Sequence, residues 1–224
     1  MYMALKTIYQ PRTNGIGVTR NLIEYEYFSG FALSQKQKCI SSLHKAAKDK
    51  GITKILEIST KSPIKLGTKL SAFNLMLTKN ENMYSVEQIF QASKVFEQGG
   101  PYLDLYEKTS KEAKMDSRLK KSGRIIAFNY LNSDFPTKPY TFFYDWLYSN
   151  ALLENKMLLI KALEFNAFSD IEFNEKKSLN CQAYSLALFC SIIRNKSEFL
   201  DREKISKEDF LELCQDEYNL RWNS

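Results

Sequence analysis

Hydrophobic and polar residues alternate along Leu22–Phe28, with three apolar side chains on one face and two glutamates on the other. A period of two is typical of a half-buried strand. Two further apolar runs, at Ile52–Ile58 and Leu70–Leu77, predict two more strands. We therefore expect a few short strands, in the N-terminal half of the chain.

Two serines mark predicted helix starts. Ser34 is followed three residues later by Gln37, and Ser85 is followed in the same way by Gln88, which is the capping-box pattern. Gly51 and the Gly99–Gly100 pair are placed to end these two helices. Apolar spacing predicts further helices at Phe142–Leu153, Lys156–Glu164, Gln182–Arg194 and Ser206–Cys214. Because helix outweighs strand, the expected fold class is α+β, mainly helical, in a single domain.

Composition narrows the class of protein. With 224 residues the chain is long enough for one well-buried core, and its net charge of +6 favours an anionic partner. No apolar run approaches the roughly 20 residues that a membrane span needs. The N-terminus lacks an apolar core with a small-residue cleavage site, so we expect no secretion signal and a cytoplasmic protein.

The scarcity of metal-binding and basic side chains limits the possible chemistry. The chain has four cysteines without a C-x-x-C pair, and His44 is its single histidine. This argues against a tetrahedral zinc site, and we predict no metal. A Ser-His-Asp or Cys-His mechanism would have to use His44, which is expected on a helix surface. Any catalysis is therefore expected to run on carboxylates and lysine.

The helix predicted from Ser85 carries the most informative polar pattern. Glu87, Gln91 and Lys94 follow each other at i, i+4 and i+7, and at about 3.6 residues per turn they share one face, with Phe90 beside them. An anion, an amide and a cation are thus aligned next to an aromatic ring. The same spacing also fits a solvated helix face with weak surface pairing.

Two later segments are further candidates, and each also has a plain structural interpretation. Lys108–Arg124 is rich in lysine and arginine, which suits either a phosphate-contacting surface or a solvated, flexible stretch. Within this segment, Gly123 would allow the backbone to approach a ligand closely. Arg124 could bind a phosphate through two hydrogen bonds. Asp170–Asn174 and Asn180–Tyr184 combine acids and amides that could hold a ribose or simply form caps and turns.

These segments, in this order, resemble the NADAR (YbiA-like) family. The family's helix motif, T/S-x-E-H-x-x-Q-x-x-K, matches Ser85–Lys94 except that Gln88 replaces the usual histidine. The family's F-S-N-F segment partly matches Leu70–Phe73, its G-R pair is Gly123-Arg124, and its L-V-E segment aligns with Asp170–Glu172. The usual W-G ending is absent.

A closer resemblance is to the NADAR proteins encoded beside DarT-type toxins. It covers most of the chain and rests on short strings in a shared order: Leu33–Lys38, Ile55–Ser59, Leu70–Leu75, Phe96–Tyr102, Phe143–Tyr148 and Asn180–Ser185. The resemblance implies one NADAR domain over 1–224, with a subgroup-specific N-terminal region at 1–69, a motif-bearing core at 70–195 and a C-terminal helix at 196–224.

The resemblance also implies an activity and a site. Such proteins hydrolyse N-glycosidic bonds, and this subgroup is understood to remove ADP-ribose from the guanine amino group in DNA as antitoxins. The implied partners are ADP-ribosylated DNA and a DarT-type toxin, with no membrane, no cofactor, and ADP-ribose as product ligand. The implied catalytic residues are Glu87, Lys94 and Glu172, and the implied substrate-binding residues are Ser71, Phe73, Asn74, Phe90, Gln91, Gly123, Arg124, Asn180 and Gln182.

Three alternatives stay open at this point. Lys94 could form a Schiff base with the opened ribose, which we favour, or act as a fixed cation near the pyrophosphate. The substrate could instead be a small phosphorylated metabolite of the riboflavin-pathway type, as in other branches of the family. The protein could also neutralise its toxin by binding it directly, without catalysis.

Overall fold

The computed structural model describes residues 2–222, in which helices and short strands alternate. The helices are α1 Leu33–Asp49, α2 Lys65–Lys69, α3 Val86–Ala92, α4 Ser110–Met115, α5 Arg118–Lys121, α6 Phe142–Glu154, α7 Lys156–Ala162, α8 Gln182–Asn195 and α9 Lys207–Trp222. The strands are β1 Met3–Pro11, β2 Val18–Glu26, β3 Ile55–Glu57, β4 Met76–Lys79, β5 Asn82–Ser85, β6 Lys94–Phe96, β7 Ile125–Tyr130, β8 Ser133–Phe135 and β9 Ala167–Ser169. Two 3-10 turns lie at Leu103–Glu107 and Ser197–Leu200. Met1, Asn223 and Ser224, at the ends of the predicted domain, lie outside the described residues.

The strands form three small sheets. The first has the order β2-β1-β9-β3, with β3 and β9 parallel and the other pairs antiparallel. The second is the β4-β5 hairpin, and the third is antiparallel with the order β6-β7-β8. The predicted α+β, mainly helical class is confirmed, although β7, β8 and β9 lie in the C-terminal half.

The core forms around α8, whose residues from Ala183 to Ile193 are all buried. This helix packs against α6, β1 and β9, as its strongly apolar sequence predicts. Glu217 of α9 is 2% exposed and accepts hydrogen bonds from the Tyr184 hydroxyl at 2.9 Å and the Val18 N–H at 3.3 Å. The C-terminal helix is thereby joined to both α8 and the first hairpin. None of the helices in residues 2–222 combines the length and the apolarity that crossing a bilayer requires.

The capping prediction at Ser34 is wrong, and the one at Ser85 is confirmed. Helix α1 begins at Leu33 with Ala32 as its N-cap, so Ser34 lies inside the first turn and cannot cap it. It ends where expected, because Gly51 adopts a φ of 83° and its N–H bonds to the Lys48 carbonyl. At Ser85 both bonds of the capping box are present.

The strand predicted over Leu70–Leu77 is wrong for most of its length. Residues 70–75 form turns, and only Met76 and Leu77 belong to β4. The reason is local, because the Ser71 carbonyl accepts the N–H groups of Asn74 and Leu75. The Asn74 side chain also donates to the Thr68 carbonyl at 2.8 Å, which gives this stretch an alternative to strand pairing.

The helix from Ser85 is shorter than predicted. It ends at Ala92, and Lys94 begins β6, which pairs with β7. Gly99 and Gly100 do not end the helix; they turn the chain after β6, with φ values of 148° and 82°. A Cβ at Gly100 would lie 2.4 Å from the Lys94 carbonyl oxygen, so this turn needs glycine.

The remaining boundaries differ from the predictions at their ends. The strand expected at Leu22–Phe28 is β2 and begins four residues earlier, whereas only three residues of Ile52–Ile58 form β3. Helix α7 stops at Ala162, and α9 continues well past Cys214 to Trp222.

Candidate active site

The polar line predicted on one helix face exists, although Lys94 reaches it from a strand. Gln91 donates through Nε2 to Glu87 Oε1 at 2.7 Å and accepts from Lys94 Nζ through Oε1 at 2.6 Å. Glu87 is 4% exposed and Gln91 is 5% exposed. The amide of Gln91 therefore connects a buried carboxylate to an ammonium group, which excludes the interpretation as a solvated helix face.

The environment of Lys94 favours its neutral form. Its ammonium nitrogen lies 4.6 Å from the centre of the Phe90 ring. Burial is the main cause that lowers the pKa of Lys94 to about 8, with Glu87 acting to raise it and Lys114 to lower it. At pH 7 about a tenth of Lys94 is therefore the unprotonated amine, against less than about a thousandth for an unperturbed lysine, and the unprotonated amine is the form that a nucleophilic lysine requires.

An aromatic cavity of about 220 Å³ opens beside this lysine. Lys94 and Asn180 supply polar groups to its wall, and Phe90, Phe128, Phe143 and Tyr144 supply ring surface. A pocket with mostly apolar walls and a few polar groups suits a flat base or a sugar. Two larger but more open hollows, of about 590 and 810 Å³, lie along α1 and α7 and contain none of the predicted site residues.

A chain of hydrogen bonds connects α3 to the start of α8. The Glu87 N–H donates to the Ala72 carbonyl at 2.9 Å, and the Ala72 N–H donates to Gln182 Oε1 at 2.7 Å. Gln182 Nε2 in turn donates to Asp170 Oδ2 at 3.0 Å. Both ends of the Gln182 side chain are thus engaged within the protein, so in this state it positions the Ala72 loop.

Asp170 is the buried carboxylate of the second acidic segment. It is 5% exposed, and burial, with a further contribution from Glu57, raises its pKa to about 7. Glu87 and Asp170 both act on Tyr144, whose pKa is raised mainly by burial. The charges of both carboxylates therefore act to raise the pKa of the same tyrosine of the cavity wall. The sequence singled out the segment Asp170–Asn174 as a whole, but it did not distinguish Asp170, which directly follows β9, from Glu172.

Glu172 occupies a different environment. Its carboxylate is 39% exposed and pairs with Lys36 of α1 at 2.9 Å. The backbone N–H of Glu172 donates to Asp170 Oδ1 at 3.1 Å, so the two acids belong to one turn but face different surroundings. The structure does not bring Glu172 into contact with the Glu87 line, and its catalytic role stays a prediction.

The Gly123–Arg124 pair lies at the surface. Arg124 donates from Nε and Nη2 to Glu97 Oε1 at 2.9 and 2.7 Å, and its side chain is 89% exposed. Gly123 has a φ of 85°, and a Cβ there would lie 2.8 Å from Glu97 Oε2. Gly123 thus permits the close approach of Glu97. To bind a pyrophosphate, Arg124 would have to release Glu97, and an exposed ion pair of this kind is weak.

The polar side chains of the Ser71–Asn74 loop bond mainly to one another and to the neighbouring backbone. Ser71 is fully buried and its hydroxyl accepts from Asn74 Nδ2 at 3.1 Å. Phe73 is half-buried, and Lys114 Nζ lies 4.9 Å from its ring centre. The same ammonium lies 3.5 Å from Glu87 Oε2, so Lys114 is a site residue that the sequence pattern did not single out.

His44 lies on α1 and contacts Ser169 through Nε2 at 2.8 Å. Burial, followed by the charge of Lys48, lowers the pKa of this histidine to about 4. His44 is therefore neutral near pH 7. Within residues 2–222, no group of three metal-ligating side chains could hold a metal ion.

A family model described as DarT1-associated NADAR antitoxin matches residues 4–222. The chain therefore belongs to the family of DarT1-associated NADAR antitoxins. Among curated proteins, none matches the chain.

Proposed function

We propose that this protein hydrolyses the bond between ADP-ribose and guanine in DNA and thereby reverses the modification made by its DarT-type toxin. Membership of the antitoxin family supports the biological role. The observation that carries the chemical proposal is the buried Glu87–Gln91–Lys94 line, which ends at an aromatic cavity. In this proposal the protein acts in the cytoplasm, and ADP-ribose is the product ligand.

The reaction replaces the bond from the ribose anomeric carbon to the guanine nitrogen with a bond to oxygen. One water is consumed: its oxygen joins the anomeric carbon and a proton joins the guanine nitrogen. Glu87 is assigned the acid/base role, because it is buried, Gln91 holds its Oε1, and its Oε2 lies 3.5 Å from the half-exposed Lys114.

Lys94 is assigned the nucleophilic role. The ribose ring first opens: its C1–O4 bond breaks, the ring oxygen takes the proton of the guanine nitrogen, and C1 becomes double-bonded to that nitrogen. The Lys94 amine then adds to C1, its two protons pass to the guanine nitrogen, which leaves as the free amine, and an imine joins Lys94 to the sugar. Water then hydrolyses the imine, which releases ADP-ribose as the aldehyde and restores the amine. The lowered pKa of Lys94 supports this role over that of a permanently charged phosphate contact.

A second carboxylate would assist Glu87. The family resemblance implies Glu172 for this role, but its carboxylate would have to leave Lys36 to reach the site. Asp170 is already buried and is connected to the Glu87 backbone through Gln182 and Ala72, and we therefore assign it the helper role, with Glu172 as the alternative. Phe90 and Asn180 would hold a base or ribose within the cavity, and Phe73, which lies against Lys114, would stack on a second base.

The rate of the Lys94-dependent step is expected to rise with pH. Because the neutral amine is the reactive form and the pKa is about 8, the rate should increase from pH 7, reach half its maximum near pH 8 and level off above pH 9. Single-turnover kinetics, with reductive trapping of the imine at each pH, measures this step. A rate that falls steadily between pH 7 and pH 9 would exclude the neutral amine as nucleophile.

The substrate class is tested by offering the purified protein three substrates in parallel: an oligonucleotide carrying ADP-ribose on guanine, the same adduct on thymine, and a phosphorylated riboflavin-pathway intermediate. We expect release of ADP-ribose from the guanine adduct alone. Turnover of the metabolite without reaction at guanine would overturn the proposal. Rescue of toxin-expressing cells by an inactive Glu87→Ala protein would instead indicate neutralisation by direct binding.

A further inference from the structure

Lys114 occupies the boundary between the basic segment and the buried acid. Its Nζ lies 3.5 Å from Glu87 Oε2 and 4.9 Å from the centre of the Phe73 ring, while half of its side chain, 52%, stays exposed. Glu87, by contrast, is almost fully buried. The lysine thus extends from solvent to a carboxylate that water scarcely reaches.

The position of Lys114 is fixed by the docking of α4 on α3. Ser110, the first residue of α4, donates to the Phe73 carbonyl at 3.0 Å and lies 2.7 Å from the hydroxyl of Ser85, the N-cap of α3. Lys114 follows Ser110 by four residues, so both are on one face of α4. The backbone of α4 is therefore held against the site, and only the flexible lysine side chain can move.

The contact between Lys114 and Glu87 is one that a better ligand can displace. A separation of 3.5 Å exceeds the roughly 2.7–2.9 Å of a charge-assisted hydrogen bond. An ammonium on a four-carbon stem behaves as a mobile point charge that phosphate attracts strongly. By comparison, Arg118 of the same segment is already paired with Asp104 and Asp116 at 2.6 and 2.9 Å.

We propose that Lys114 exchanges partners during binding: it neutralises Glu87 in the ligand-free site and moves to a phosphate group of the substrate, which leaves Glu87 Oε2 free for proton transfer. This inference rests on the proposed function for the identity of the substrate. Two phosphates have the required chemistry, the pyrophosphate of ADP-ribose and the backbone phosphate of the modified strand. Lys114 would then act as a binding and positioning residue.

The binding arm compares Lys114→Gln, Lys114→Arg and Lys161→Gln, the last removing an exposed lysine of α7 as a matched charge control. Affinities for free ADP-ribose and for an unmodified single-stranded oligonucleotide are measured across a range of salt concentrations. We expect Lys114→Gln to weaken binding about tenfold, the size of one charge-assisted hydrogen bond. The salt slope for oligonucleotide should fall by up to about one if the backbone is the partner.

The two ligands distinguish the two phosphates. A loss confined to ADP-ribose identifies the pyrophosphate, and a loss confined to the oligonucleotide identifies the backbone; both support the exchange. Lys114→Arg and Lys161→Gln should stay within about threefold of wild type. Unchanged affinity of Lys114→Gln for both ligands would overturn the inference.

The kinetic arm uses the pH profile of hydrolysis, which a purely structural role would not shift. In the free protein the positive charge of Lys114 helps to lower the pKa of Lys94, so Lys114→Gln should move the rising limb of kcat/KM to higher pH, while Lys114→Arg leaves it in place. Because Lys114 is paired with phosphate in the complex, the rising limb of kcat should shift less. Equal shifts of the two profiles in Lys114→Gln, or no shift in kcat/KM, would overturn the exchange. If wild-type protein hydrolyses nothing but Lys114→Gln still weakens binding, the proposed function fails and the phosphate contact stands.

Discussion

Replacing Lys94 by arginine is expected to abolish hydrolysis of guanine-linked ADP-ribose as completely as replacing it by alanine. Arginine keeps the positive charge, but its guanidinium stays protonated and cannot form an imine. Removing a covalent nucleophile should slow the reaction on the order of 10⁴-fold. Single-turnover rates of the two variants, measured beside wild type, give the comparison.

Reductive trapping tests independently whether Lys94 forms a covalent bond with the sugar. Treatment of wild-type protein with cyanoborohydride during turnover should leave ADP-ribose covalently attached at Lys94, visible by mass spectrometry, and neither variant should be labelled there. The matched control is Lys114→Arg, which keeps Lys94 and should still be trapped. An active Lys94→Arg protein beside an inactive Lys94→Ala protein would show that Lys94 acts as a fixed cation.

Replacing Phe143 by alanine is expected to lower the free energy of unfolding by about 3–5 kcal/mol. Phe143 is 1% exposed, and its ring centre lies 4.8 Å from those of both Phe128 and Phe135 and 6.2 Å from that of Phe90. Removing it leaves a void in the aromatic cluster that forms the cavity wall. Urea unfolding of the variant and wild type measures the loss.

The exposed Phe31 provides the control for this substitution. Its side chain is 97% exposed, so Phe31→Ala should change the free energy of unfolding by no more than about 0.5 kcal/mol. Phe143→Leu, which refills much of the space, should lose less than Phe143→Ala. An unchanged free energy of unfolding in Phe143→Ala would show that the aromatic cluster around Phe143 does not stabilise the fold.

Local chemistry explains which parts of the site could be predicted. The start of α3 was predictable because the capping box of Ser85 and Gln88 is a local device, and the pairing of Glu87 with Gln91 follows from helical spacing. Lys94 contacts Gln91 from a strand, and not through the helical spacing that was predicted. The chain leaves the helix at Ser93 and pairs with β7, and this pairing partner lies about thirty residues away in sequence.

Long-range packing decides the rest. Nothing near Asp170 in sequence shows that Gln182 will bind it in the protein interior, while Glu172, two residues on, pairs with Lys36. The apolar run at Leu70–Leu77 is an exception with a local cause, because periodicity does not reveal the turn that the Ser71 carbonyl and the Asn74 side chain form. The contact of Lys114 with Glu87 depends on how α4 docks, which spacing alone does not specify.

The most direct test of the central claim is the mass of an oligonucleotide carrying ADP-ribose on guanine after incubation with wild type, Glu87→Ala and Lys94→Ala. Circular dichroism first establishes that both variants are folded. We expect wild type to restore the mass of the unmodified strand and both variants to leave the adduct intact. An adduct that survives wild-type protein, or one removed equally well by both variants, would contradict it.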